Sequence, residues 1–236
     1  MDRNDTPDRS RALPSRRRFL AMGSASVVGA AVLAACSKNS GPVESTGTTV
    51  TTSVPPTAPV GDLTATQNEA DASLMRTATS FELLAAETYT ALLAKPFASE
   101  TDADTLAALR LFETQHTAAA KALADATKAA GATAYDKPND YAKQQVIDPA
   151  LANVSDTAGL LGLANQLESI SAATCAQSAS QLGTPELRQA IMAVGGSSAR
   201  REAVLNIAIA KGNLGAGVPN ARFDTRSALG TAALVK

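Results

Sequence analysis

Four stretches of the chain repeat apolar residues in alternating steps of three and four, the spacing that keeps side chains on one face of an α-helix. Residues that end helices separate them, because Pro96 follows the first stretch, Gly131 the second and Gly183 the third. Thr184 and Pro185 then supply an N-cap and a first-turn proline for the fourth stretch. The pattern predicts long helices over residues 66–94, 101–130, 155–182 and 185–211.

The connections between these helices predict an all-α, antiparallel four-helix bundle. The first and third connections are short, whereas residues 132–154 show no clear periodicity and contain Pro138 and Pro149. Short connections make neighbouring helices antiparallel, so the long connection must cross the bundle between the second and third helices. The composition agrees, because 45% of the residues are hydrophobic but only 3% are aromatic. Much of the apolar fraction is alanine, a strong helix former.

Each predicted helix carries polar residues in the middle of its apolar face. A buried carboxylate costs several kcal/mol unless it is paired or binds a metal, so glutamates that point into one core require a compensating cation. The chain has one histidine and two cysteines, which excludes His-rich zinc sites and a disulfide framework. Any chemistry must therefore rest mainly on carboxylates. The polar positions are Glu82 and Tyr89, Glu113 and His116, Glu168, Ser171 and Cys175, and Ser198 and Arg201.

Three of the four helices resemble the ferritin-like di-iron carboxylate proteins. That family places one Glu on each of two helices and Glu-x-x-His on each of the other two, all directed inward. Glu82 matches the first helix, Glu113 and His116 form an intact Glu-x-x-His on the second, and Glu168 matches the third. The resemblance covers residues 66–211 and implies a ferritin-like bundle in which these four residues are the remaining metal ligands.

The fourth helix departs from the family pattern, because Ser198 and Arg201 stand where Glu and His are expected. Three interpretations follow. In the first, the Arg201 guanidinium pairs with Glu113 or Glu168 where a metal would sit, and the site holds no cofactor. In the second, one iron or manganese ion binds the residual site of Glu82, Glu113, His116 and Glu168. In the third, the protein is a working oxidase or iron store.

The N-terminal residues resemble an export signal. Arg16 and Arg17 precede an uncharged run over residues 19–35, which is shorter than the ~20 residues of a comfortable membrane span. The arginine pair resembles a twin-arginine signal, and Leu33-Ala34-Ala35-Cys36 resembles the lipobox of bacterial lipoproteins. Residues 1–35 are therefore predicted to be a twin-arginine lipoprotein signal peptide, and Cys36 the lipidated residue.

The rest of the chain divides into a tether and a domain. Residues 36–63 are rich in Ser, Thr, Pro and Gly and have no helical period, which predicts a disordered tether behind the lipid. Residues 64–236 form the predicted ferritin-like domain with a C-terminal tail. We expect an exported protein, held by lipidated Cys36 on the extracytoplasmic side of a bacterial membrane.

Charge and motif content leave two function classes open. With 21 basic and 22 acidic residues, the chain lacks the positive excess that would favour nucleic-acid binding. One class is a non-catalytic envelope lipoprotein whose bundle is a binding or structural module, with an envelope protein as partner. The other is a metal-dependent oxidoreductase or iron-binding protein that uses the residual site with iron or manganese.

We predict that Cys36→Ala abolishes lipidation and that replacing Arg16 and Arg17 with Lys blocks export. The first change removes the sulfur that carries the lipid, and the second removes the arginine pair that the export receptor reads. Fractionation and labelling with a radioactive fatty acid measure both effects. A Cys36→Ala protein that remains acylated and membrane-bound would contradict the lipoprotein assignment.

Overall fold

Four long helices occupy the four predicted stretches in the computed structural model, which describes residues 65–218 and 224–236. The predicted signal peptide, Arg16, Arg17, Cys36 and the predicted tether lie outside the described residues. No strand occurs among the described residues, and none of their helices is long and apolar enough to cross a membrane. The helices are α1 (Ala65–Leu93), α2 (Ala103–Ala129), α3 (Asp140–Ala142), α4 (Asp148–Ala152), α5 (Thr157–Gln181) and α6 (Pro185–Ile209).

The long helices begin and end within two residues of the predicted bounds, because local capping decides these positions. The side chain of Asp102 accepts a hydrogen bond from the Thr105 amide at the start of α2. At the end of α2, Gly131 has a φ of 82°, a left-handed conformation that favours glycine. The positions at which the helices begin and end are therefore encoded by residues outside the core.

Contacts at the two ends of the bundle fix its topology. The start of α1 meets both the end of α5 and the loop after α2, since Asp71 accepts from the Gly183 amide at 2.9 Å and Arg76 donates to the Thr133 carbonyl at 2.8 Å. At the other end, Thr157 at the start of α5 donates to the Phe97 carbonyl. α1 is thus antiparallel to α2 and α5, and the connection from α2 to α5 traverses the bundle, as predicted.

That connection contains helical structure that the sequence pattern does not predict. α3 and α4 are joined by a π-helix over Lys143–Ile147, in which the Asp148 amide donates to the carbonyl of Lys143 five residues back. Ala142 and Ile147 are both buried in the connection, and they are also five residues apart. A spacing of five follows the π-helix and breaks the three-four pattern by which an α-helix is recognised.

The start of α6 differs in one detail from the expected cap. Thr184 is the N-cap residue, but its side chain makes no cap hydrogen bond. Its hydroxyl donates to Asp71 of α1 instead, at 2.8 Å, and the Thr184 amide donates to the same oxygen at 2.9 Å. A buried carboxylate from another helix therefore organises the α5–α6 loop.

The core consists of two apolar clusters separated along the bundle axis by polar side chains. One cluster includes Phe81, Tyr89 and Leu205, and the other includes Met75 and Ile191. Between them lies a set of buried residues that we call the polar layer, consisting of Glu82, His116, Glu168, Ser171, Ser198 and Arg201.

The glycine pair of α6 permits close helix packing. From sequence alone, Gly195 and Gly196 favour a local kink or a slip of the helix face, because glycine is unfavourable inside a helix. The helix runs from Pro185 to Ile209, and Arg201 beyond the glycine pair is buried, so the inner face does not slip. A Cβ added at Gly195 would lie 2.7 Å from the Cβ of Cys175 on α5, so the absent side chain is what allows α5 and α6 to approach.

We predict opposite effects of alanine at the two glycines. Gly195→Ala should lower the free energy of unfolding by about 1 to 3 kcal/mol through overpacking against Cys175. Gly196→Ala should raise it by up to about 1 kcal/mol through helix propensity, because a Cβ there meets only the flexible Arg200 side chain, at 3.7 Å. Urea unfolding of the two variants measures both. Equal stability of the two variants would contradict the proposed close packing.

Candidate functional site

The polar layer brings together one side chain or more from each long helix. Glu82 comes from α1, His116 from α2, Glu168 from α5 and Arg201 from α6. All four are buried, and Arg201, the most accessible, is only 3% exposed. These residues lie on the predicted inner faces of their helices.

His116 bridges the two buried carboxylates. Its Nδ1 atom lies 2.7 Å from Oε2 of Glu82, and its Nε2 atom lies 2.9 Å from Oε1 of Glu168. Tyr89 donates to the same Glu168 oxygen at 2.7 Å, and its ring is tilted by 31° over the imidazole at a centroid distance of 5.3 Å. Both ring nitrogens face acceptors, which favours the doubly protonated imidazolium.

Arg201 supplies the second cation of the layer. Its Nε atom donates to Oε2 of Glu168 at 2.8 Å, and its Nη2 atom donates to Ser198 at 3.0 Å. Its Nη1 atom reaches Ser197 at 3.1 Å and Gln115 at 3.5 Å, on the α2–α6 side of the bundle. Arg201 therefore points into the core.

A chain of hydroxyl groups connects Arg201 to Glu82. Ser171 donates to Oε1 of Glu82. The hydroxyls of Ser171 and Ser198 lie 2.7 Å apart, so Ser171 accepts from Ser198, which in turn accepts from Arg201. Serine at position 198 therefore completes a hydrogen-bond network.

The charges of the layer balance. Burial alone would lower the pKa of His116, but the Glu82 carboxylate and the hydrogen bonds to Glu168 and Glu82 outweigh it and raise this pKa to about 9. Burial would raise the pKa of Glu82, yet His116 and Arg201 together hold it below its usual value. Two carboxylates thus face an imidazolium and a guanidinium, and the layer has no net charge.

Glu113 lies outside the polar layer. It is half-buried and accepts a hydrogen bond from the Thr90 hydroxyl at 2.6 Å. Three residues along an α-helix turn through about 300°, so the Glu113 side chain is displaced by about 60° from that of His116. The expected ligands therefore do not meet in one place: Glu82, His116 and Glu168 converge, and Glu113 does not.

Some members of the network were not predicted as site residues. Ser197 and Gln115 cover the outer side of the guanidinium. The spacing from Ser197 to Arg201 is four residues, which places both on one helix face, but that spacing alone does not distinguish a partner from a solvated neighbour. Cys175 is buried beside the layer, and burial raises the pKa of its thiol, so it is an unreactive core residue.

Comparison with known families agrees with this architecture. A family model described as the ferritin-like domain matches residues 70–211, which include the whole polar layer and all four long helices except the first five residues of α1. The chain belongs to the ferritin-like domain family. No curated protein and no solved structure matches it significantly.

The donor set of this ferritin-like domain does not fit a two-metal centre as it is arranged. Glu82, His116 and Glu168 are bonded to one another, and the Arg201 guanidinium, which has no lone pair, contacts Glu168. Among residues 65–218 and 224–236, no group of three His, Cys, Asp or Glu side chains is disposed to hold a metal ion.

We predict that the stability of the ferritin-like domain falls as the pH rises from about 6.5 to above 9. The folded-state pKa of His116, about 9, exceeds the ordinary value of 6.5, because the interactions with Glu82 and Glu168 outweigh the burial that would lower it. Arg201 and Tyr89 also face the ring. The contribution of the imidazolium is therefore complete below pH 6.5 and is lost through pH 9.

Urea unfolding near pH 6 and pH 9.5 measures this change, which we expect to be on the order of 3 kcal/mol. His116 is the only histidine, so His116→Gln is a matched control that should remove the loss between the two pH values. A parent protein that is equally stable at both pH values would contradict a protonated His116.

Proposed function

We propose that this protein is a cell-envelope lipoprotein whose ferritin-like bundle is a non-catalytic binding or structural module. The observation that carries the proposal is the contact of the Arg201 guanidinium with Glu168 at 2.8 Å, deep in the core. In this proposal, Arg201 and protonated His116 neutralise the carboxylates that metals neutralise in the intact family pattern.

Charge arithmetic supports this role for Arg201. An intact site pairs two divalent cations with four carboxylates, whereas here two buried carboxylates face two cations of the protein itself. A divalent ion added to this layer would require His116 to lose a proton and would be repelled by the fixed charge of Arg201. The domain would then fold without a cofactor, and its function would depend on its surfaces.

The proposed location rests on the N-terminal signals. A lipidated Cys36 would hold the domain at the extracytoplasmic side of a bacterial membrane, and residues 37–63 would separate it from the lipid. Cys175→Ala is a matched control for Cys36→Ala, because Cys175 is the only other cysteine and is buried in the core. Only the Cys36 variant should lose the lipid.

The second candidate function is iron or manganese binding, with oxidoreductase or storage activity. It is favoured by one observation, which is that Glu82, His116 and Glu168 converge within hydrogen-bond distance in the core. These three are residues that the family pattern uses as ligands. Metal content separates the two candidates.

We predict that the purified native domain contains well under one iron or manganese ion per chain, and that Arg201→Ala lowers its stability. Removing one partner of a buried ion pair leaves a buried charge uncompensated, at a cost of about 3 to 5 kcal/mol. Added Mn²⁺ or Fe²⁺ should recover part of this loss, because a ligand that binds only the folded state stabilises it. Elemental analysis and thermal unfolding with and without metal measure these effects.

The neighbouring Arg200 offers the control, since it is exposed and Arg200→Ala should change neither stability nor metal response. Two tightly bound metals in the native domain would establish the second candidate instead. An Arg201→Ala variant as stable as the parent would show that the guanidinium does not compensate the carboxylates.

We predict that the double variant Ser198→Glu and Arg201→His raises the metal content towards two ions per chain. The change restores the two ligands that the fourth helix lacks relative to the family pattern and removes the fixed cation. Elemental analysis after loading with Mn²⁺ measures the gain, and the Ser198→Glu single variant, which keeps Arg201, is the control. Equal loading of the single and double variants would contradict competition between Arg201 and metal.

A further inference from the structure

Residues 224–236, which we call the C-terminal strap, lie against α1 and α5. The groove between these helices binds the strap through its backbone. The Leu229 amide donates to Oγ1 of Thr174 at 3.0 Å, and the Val235 amide donates to Oγ1 of Thr77 at 2.9 Å. The Val235 carbonyl accepts from Ser73 at 2.9 Å. We call this surface the α1–α5 groove.

A buried side-chain amide also binds the backbone of the strap. Asn139, which precedes α3, donates from Nδ2 to the Ala233 carbonyl and to the Ser80 hydroxyl, both at 2.9 Å. The hydroxyls of Ser169 and Ser227 lie 3.2 Å apart further along the strap. The strap forms a 3₁₀ turn over Thr231–Ala233, and groups that bind its main-chain atoms recognise a peptide of this shape largely independently of its side chains.

Little apolar surface holds the strap in place. Ala233 is its only buried residue, Leu229 is half-buried against the apolar core, and Leu234 is 39% exposed. A cavity of about 60 Å³ remains between the strap and the helices, lined on the helix side by uncharged residues that include Thr77, Thr174 and Ser178. Because ordering a terminal segment costs conformational entropy, such limited burial leaves the strap displaceable.

We propose that the α1–α5 groove is a binding site for a short peptide segment that is uncharged where it contacts the groove, as residues 227–235 are, and that the C-terminal strap occupies it in cis. The ligand would place a small apolar side chain at the position of Ala233 and an aliphatic one at that of Leu229. This inference rests on the proposed role of the domain as a binding module. In this proposal, release of the strap regulates the access of the partner to the groove.

The test expels the strap in the full chain and offers the same peptide in trans. Ala233→Asp places a charge in a buried position and should vacate the groove, whereas Ala232→Asp, at the exposed neighbouring residue, should not. The probe is a fluorescein-labelled peptide with the sequence of residues 224–236, followed by fluorescence anisotropy. The Ala233→Asp chain should bind it at least about tenfold more tightly than the parent or the control, because the groove is then no longer occupied.

Adding Thr77→Val and Thr174→Val to the Ala233→Asp chain should abolish the binding, since both backbone contacts lose their acceptor. A folded Ala233→Asp chain that fails to bind the peptide overturns the proposal, and so does equal binding by the Ala232→Asp control. A parent chain that forms dimers by exchanging straps also overturns occupation in cis.

Hydrogen exchange of the unmodified full chain provides a test that does not depend on the variants folding. The Leu229 and Val235 amides should exchange much faster than the amides in the middle of α1 and α5, because the strap opens without unfolding of the bundle. Equal protection overturns the proposal. The metal content of the same preparation tests the polar layer separately. A negative result for peptide binding therefore does not decide the role of Arg201.

Discussion

The rest of the structure depends on the shared carboxylate of Glu168. It accepts hydrogen bonds from Tyr89 of α1 and Arg201 of α6 and contacts His116 of α2, so one side chain of α5 links all four long helices. A buried carboxylate would be costly without these partners. The two cations beside it and the hydroxyl chain to Glu82 leave the layer neutral and hydrogen-bonded.

The two parts of the core have different roles. The apolar clusters on either side of the polar layer supply the hydrophobic driving force, because they bury large side chains such as Phe81, Leu84 and Ile191. A buried ion pair adds little net stability, but losing one partner is expensive. The polar layer therefore penalises any sliding of one helix relative to the others, which would separate a charge from its partner.

The outer face of α1 and α5 is joined to the strap and the crossover by a different kind of contact. There, hydroxyls and the Asn139 amide bind backbone atoms, and few apolar side chains are buried. Displacing the strap would therefore leave the charges of the core undisturbed. In the proposed binding module, the polar layer keeps the bundle rigid and the α1–α5 groove changes its occupant.

The sequence by itself determined the four long helices and placed the six residues of the polar layer, together with Glu113, on their inner faces, because capping and three-four spacing are local properties. It left open whether Arg201 meets Glu113 or Glu168, and the fold decided for Glu168 because the direction of Glu113 depends on how α2 is rotated against α1. The approach of α5 to Gly195, the π-helix before α4 and the path of the strap were also decided by tertiary structure. For Glu113, Gly195 and the strap, the position follows from an atom of a distant segment, which no local pattern encodes.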